Sequence, residues 1–294
     1  MTALPHAQPA SPRDMVARVD KLVALPEIYW LVRERLQDPQ VEMRELGRLI
    51  QQDVDLTARL LKLVNSAAYG FPGRVDTVTR AITLVGLREL EYLVFAGVAF
   101  ESFARLPIDQ INVPSFWRHS VFAALVARGL AGVVGVLHPE RLFITGLLHD
   151  IGRLVMCLEA PEVVKAVMAR RDVGADPNQV ERELLGFDHA ELGAALAESW
   201  RFPAVMVDAI AHHHRPALAS KGYLEACILH VADVVSLAVD AQEEENFREY
   251  CDAEAWNRLG LDEAMVRTLI QDALMDFLET LELITPGMAD GGSL

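Results

Sequence analysis

Between Asp14 and Leu106 the chain holds no histidine and no cysteine, whereas the stretch that follows presents His119, the pair His149-Asp150, His189, the pair His213-His214 and Asp233. Any chemistry therefore belongs to the second part of the chain. Imidazole nitrogens and carboxylate oxygens together suit divalent metals such as Fe, Mn, Zn, Ni or Mg, and adjacent His and Asp on one helix can offer a ligand to each of two ions. His149-Asp150 lies in the apolar run Gly146-Leu147-Leu148-His149-Asp150-Ile151-Gly152, where a buried carboxylate needs a metal or hydrogen-bond donors around it. Taken singly, His119 or His189 reads as a core or capping histidine. His212-His213-His214 then reads as a solvated helix end, and Asp233 as a surface acid. Taken in order, the elements favour a metal site. Arg153 stands three residues after Asp150, on nearly the same helix face, where it can hold a phosphate or neutralise Asp150 in place of a metal.

The elements that must position these groups are helical throughout, with no sustained strand alternation. One face collects Met15, Val16, Val19, Leu22 and Val23, and another Ile28, Leu31, Val32 and Leu36. Asp53 or Asp55 can cap a helix running from Leu56 to Val64. The run Asn65 to Gly70 and Gly86 are breaks, and Leu87 to about Ala104 is apolar nearly all round, as a helix inside a bundle is. Beyond a proline-bracketed connector at Leu106 to Pro114, helices are expected over residues 115–134, 139–158, 161–171, 177–185, 188–200, 203–214, 223–240 and 262–282. Asp188 to Glu191 has capping-box spacing, and Pro203 suits a first helical turn. The last helix carries Met265, Val266, Leu269, Ile270, Ala273, Leu274, Phe277, Leu278 and Leu281 on one stripe that must be covered.

The expected organisation is all-α, with two packed helical subdomains. A mobile leader spans 1–13, an N-terminal helical subdomain 14–110, a C-terminal subdomain 111–285 and a frayed tail 286–294. A 294-residue chain that is 52% hydrophobic and 23% charged is a packed globular protein. Forty-two acidic against 27 basic residues, a net charge of −15, disfavour a general grip on nucleic acid or anionic lipid but leave room for a local basic pocket. No charge-free stretch approaches 20 residues and no signal-peptide pattern opens the chain, so a cytoplasmic location is expected, away from the membrane. Cys157, Cys227 and Cys251 show no CxxC spacing and read as reduced thiols.

From about Leu25 to Asp240 the chain resembles the HDOD family, the HD-related output domain of bacterial signalling proteins. The marks are Asn65 to Gly70, Ala81 to Arg88, Phe116-Trp117-Arg118-His119-Ser120, Gly146 to Gly152, Gly186 to Gly193 and Ala209 to His214. The resemblance implies a C-terminal subdomain related to the HD phosphohydrolases and the cyclic-dinucleotide phosphodiesterases. It places their metal-ligand order on His119, His149, Asp150, His189, His213, His214 and Asp233. Arg215-Pro216 stands where the cyclic-dinucleotide enzymes carry Glu and then a Gly-Tyr-Pro loop, and Arg153 where they carry Lys. The resemblance thus implies a non-catalytic signalling module holding one or two divalent metals, or none, with a sensor kinase, a receiver or a cyclic-dinucleotide enzyme as partner. The alternative is a metal-dependent phosphohydrolase, with ions on His119, His149, Asp150 and Asp233, in which Asp150 and Arg153 are the catalytic candidates.

Overall fold

The computed structural model describes residues 11–19, 27–36, 38, 40–65, 71, 73–87, 90, 94, 103, 108–243 and 245–284. Among them every regular element is helical. The N-terminal helices are α1 (Pro12–Val19), α2 (Glu27–Leu36), α3 (Met43–Ile50), α4 (Val54–Val64) and α5 (Val78–Val85). The long α6 (Val113–Val134) follows, then α7 (Pro139–Leu148), α8 (Ile151–Glu159), α9 (Pro161–Arg171), α10 (Pro177–Leu185), α11 (His189–Ser199) and α12 (Ala204–His212). A 3-10 turn at Pro216–Leu218 leads to α13 (Tyr223–Asp240), the short α14 (Phe247–Tyr250) and α15 (Ala253–Leu259), and α16 (Glu263–Ile284).

Helix α6 is the central strut: α7, α13 and α16 all pack along it, and its residues from Phe116 to Ala127 are buried without interruption. Such a helix has no polar face and is stable only inside a bundle. Its start is fixed by Asn112, whose side chain accepts from Ser115 N at 2.9 Å, and its end by Gly135 in the left-handed conformation. Helix α1 docks on α8 and α11, in the C-terminal half of the chain. It begins at Pro12, inside the segment expected to be a leader. Residues 1–10, the tail 286–294, most of the run after Asn65 and most of the helix expected over 87–104 lie outside the described residues.

Several expected boundaries recur within a residue or two, among them 161–171, 177–185 and 223–240. Asp53 rather than Asp55 caps α4, accepting from Leu56 N at 2.9 Å. Three differences have physical causes. The helix expected over 139–158 is two helices, broken at His149-Asp150, where Asp150 takes φ −98° and ψ 5°. Helix α3, eight residues long, and the shorter α14 and α15 offer too few turns to be seen. On α16 the covered stripe is narrower than expected, because Val266, Ile270, Ala273, Phe277 and Leu281 are buried while Met265 and Leu278 face solvent.

Candidate metal centre

Two glycines clamp the His149-Asp150 pair between helices. A Cβ on Gly146 would stand 2.8 Å from Ala124 Cα, so α7 meets α6 backbone to backbone. A Cβ on Gly152 would stand 2.0 Å from the His189 carbonyl oxygen and 2.6 Å from Gly193 N, so α8 lies directly on α11. The break between α7 and α8 turns the Asp150 side chain inward, where it caps nothing. Gly222, whose Cβ would meet Val205 O at 2.3 Å, seats the start of α13 on α12. Asp208 Oδ2 fixes the connecting loop by accepting from the backbone N–H groups of Ser220, Lys221 and Gly222 at 2.8, 2.6 and 2.9 Å.

All seven residues singled out as ligands come together in one cluster, buried except for the partly exposed His214. His119 Nε2 lies 3.2 Å from Asp233 Oδ1 and 3.4 Å from His149 Nε2. His149 Nε2 is 3.6 Å from both Asp150 Oδ1 and Asp233 Oδ1. Asp150 Oδ1 is 3.0 Å from His189 Nε2 and 3.7 Å from His213 Nε2. His214 joins His189, Nε2 to Nε2, at 2.9 Å and places its Nδ1 3.6 Å from Asp233 Oδ2. Among the described residues, ligand atoms of Asp150, His189, His213 and His214 all lie within 4.8 Å of one another, as do those of His119, His149 and Asp150, and those of His149, His213 and Asp233.

The other ring nitrogens of four of these histidines are engaged outside the cluster. His149 Nδ1 donates to Gly146 O at 2.6 Å and His213 Nδ1 to Ile210 O at 2.8 Å. His189 Nδ1 donates to Glu181 Oε2 at 2.7 Å, and His119 Nδ1 to Asp240 Oδ2 at 3.2 Å. A carbonyl or carboxylate oxygen only accepts, so each of these Nδ1 atoms carries the hydrogen and each Nε2 faces inward, free to offer a lone pair to an ion. This is how ligating histidines are oriented. His230 braces the assembly by donating from Nδ1 to His213 O at 2.9 Å and accepting from Asp252 N at 2.8 Å. Glu181 and Asp240, two parts of this outer layer, were not singled out in the sequence.

The cluster could hold a metal ion. Buried His213 Nε2, whose lone pair faces Asp150 Oδ1 at 3.7 Å, completes no hydrogen bond, a costly arrangement without a cation between them.

Without an ion, protons take its place. Burial would lower His119, but hydrogen bonds to Asp233 and Asp240 and the nearby carboxylate charges lift it to about 10. Burial and Arg153 press His189 down, yet Glu181 and Asp150 raise it to about 9. His213 is lowered chiefly by burial, and His214 is held well below the usual imidazole range by burial and its histidine neighbours. Burial opposes ionisation of Asp150 and Asp233, but Arg153 with His149 for the former, and His119 with His149 for the latter, keep both well below the ordinary carboxylate range. Arg153 Nε lies 2.8 Å from Asp150 Oδ2, so the two groups do meet as their spacing suggested. The three cysteines are buried and free, and burial pushes their thiols up to about 11 to 12.

Fold and cluster together define a helical protein of the HD-like phosphohydrolase fold. A Shewanella amazonensis SB2B protein provisionally named a phosphohydrolase superposes with a TM-score of 0.75 at 26% identity, over 92% of this chain and 98% of that one. An HDOD domain protein of unknown function from Geobacter sulfurreducens superposes with a TM-score of 0.72 at 25% identity, over 92% and 96%. The HDOD domain model matches residues 22–216, and the chain belongs to the HDOD domain family. An uncharacterised protein of Treponema pallidum (strain Nichols) is 31% identical over 212 residues, 70% of this chain and 40% of that protein. Ribonuclease Y of Thermus thermophilus is 34% identical over 158 residues, 47% of this chain and 26% of the enzyme. The chain therefore matches less than half the length of either relative.

Proposed function

We propose that this protein is a signal-transduction output module that works through contacts with a signalling protein, and that its HD-type cluster holds one divalent ion in a closed, non-catalytic site. The carrying observation is the division of labour at Asp150: Oδ2 pairs with Arg153 at 2.8 Å, while Oδ1 faces His189, His149 and His213. A carboxylate held this way has one oxygen left for a metal and does not bridge two. Asp150, His189, His213 and His214 then supply the four ligands of a closed site, the arrangement characteristic of structural rather than catalytic ions. Fe, Mn, Zn or Ni suits a set so rich in imidazole better than Mg does. A sensor kinase, a receiver or a cyclic-dinucleotide enzyme is the partner expected from the family.

The test is a phosphoester screen that includes nucleotides and cyclic dinucleotides, run on metal-loaded wild type and on Asp150→Ala. Equal, background turnover in the two is expected. Turnover that the substitution abolishes would establish the second reading, a metal-dependent phosphohydrolase. That reading is favoured by a cavity of about 470 Å³ that reaches His119 and Asp150 from the surface. A divalent ion beside His119, His149, Asp150 and Asp233 supplies Lewis acidity toward phosphorus, and Arg153 is placed to grip a phosphoryl oxygen.

A further inference from the structure

Helix α16 turns one side to α6 and α4 and the other to solvent, and the solvent side carries a pattern that the fold does not call for. Met275 is 85% exposed and Leu278 58%. They stand three residues apart and are therefore neighbours on one helix face. Asp272 precedes Met275 by three residues, Glu279 follows it by four and Glu282 by seven, all exposed, so carboxylates frame the apolar pair on that same face. From Thr268 to Ile284 the sequence holds Asp272, Asp276, Glu279 and Glu282 and no base. None of the four acids pairs with a cation among the described residues. Glu279 shares a surface cavity with Lys62 and Arg74 and forms an ion pair with neither.

This arrangement works against the helix itself. Asp272 and Asp276 are four residues apart, Asp276 and Glu279 three, and Glu279 and Glu282 three, all spacings at which like charges repel. The last turn has no basic residue, so Glu282 lies where the negative end of the helix dipole disfavours a carboxylate. A cationic partner brought to this face relieves both effects, and the exposed apolar pair gives such a partner something to bury.

We infer that the outer face of α16 is the surface through which the module docks on its protein partner, and that the partner contributes a basic amphipathic helix. That helix carries an aliphatic pair at three- or four-residue spacing flanked by lysine or arginine. The inference rests on the proposed role as a signalling module that works by protein contacts, and it names the contact. Other occupants suit the face less well. A bare metal ion leaves the apolar pair unused, a second copy would set the same acids against each other, and residues 285–294 hold no base. One face of one helix is small, so the complex is of the transient, salt-sensitive kind.

The experiment is fluorescence anisotropy of the tag-free full chain with a labelled helical peptide of about five turns, its leucine pair flanked by lysines, and with a twin in which every lysine is glutamate. Saturable binding of the basic peptide alone is expected, with Kd below about 100 µM at about 0.05 M salt. Asp272→Lys combined with Glu279→Lys should weaken it at least about tenfold, and Met275→Ser about fivefold or more. Glu34→Lys combined with Asp55→Lys, exposed acids of α2 and α4, changes the net charge equally and should leave the affinity within about twofold. The reversal on α16 should also raise the Tm of the free chain, because it relieves the repulsion. No saturable binding would overturn the inference, as would equal weakening by the α2 and α4 reversals, wild-type affinity in Met275→Ser, or a lower Tm in the α16 reversal. The phosphoester screen does not involve this face, so turnover there with peptide binding intact would sink the non-catalytic reading alone, and absence of both would sink the docking face alone.

Discussion

Each of His119, His149, His189 and His213 has its Nδ1 hydrogen committed to an oxygen outside the cluster, so each ring is both aimed and fixed in tautomer. Glu181 does this most completely, since Oε2 accepts from the ring of His189 at 2.7 Å and from its backbone N at 2.8 Å. Glu181→Gln should weaken metal affinity by roughly 10- to 100-fold while the fold survives, as losses around metal-ligating histidines do; competition with a chromogenic chelator would measure it. The protons that stand in for the ion give a second expectation. At pH 7 metal-free His119 and His189, raised to about 10 and about 9, are protonated, so metal uptake should release protons and tighten as pH rises. Titration in buffers of different ionisation enthalpy reads that release. The stability sign follows: both groups sit above the ordinary 6.5 in the fold, so their contribution is full below pH 6.5 and is lost as pH climbs through about 9 and 10. Metal-free protein should therefore lose Tm over that alkaline range, and metal-loaded protein should lose less.

The seven cluster residues were legible because histidines and aspartates are few in apolar helical runs. Asp240 had a signal that could have been read, being seven residues, two helical turns, beyond Asp233 on the same face of α13. Glu181 had none, because its approach to His189 spans the turn at Gly186 and no helical period links them.

At the scale of elements, the site depends on how closely helices approach. Nothing flexible faces Gly152: the atoms a Cβ would meet are the backbone of His189 and Gly193. Gly152→Ala must therefore push α8 off α11 and move Asp150 away from His189. A loss of about 3 kcal/mol, or roughly 10 °C in Tm, is expected together with loss of bound metal, checked by calorimetry and metal analysis of the same sample. A substitution that left both unchanged would mean the two helices are not in contact there. The long amphipathic and capped helices could be read from the sequence because period and caps are local. The break at His149-Asp150 could not, since the apolar pattern runs straight through it and only the need to aim a carboxylate inward interrupts the helix. Helix α3 escaped for a different reason: Met43, Leu46, Leu49 and Ile50 keep a helical period, but over only eight residues, little more than two turns.

At the scale of the whole molecule, charge sets what the surface can meet. A net charge of −15 repels a polyanion over most of the surface, and no described helix is long and apolar enough to cross a membrane. Although part of the chain resembles ribonuclease Y, this protein should show no retention of single-stranded RNA at about 0.15 M salt; filter binding that fell steeply with added salt would refute that. The central claim is that the buried histidines and aspartates form a metal centre, and elemental mass spectrometry of tag-free protein tests it most directly. About one equivalent of Fe, Mn, Zn or Ni in the wild type, lost in Asp150→Ala, is the expected result. No ion retained by the wild type, even after incubation with each metal and removal of excess, would contradict it.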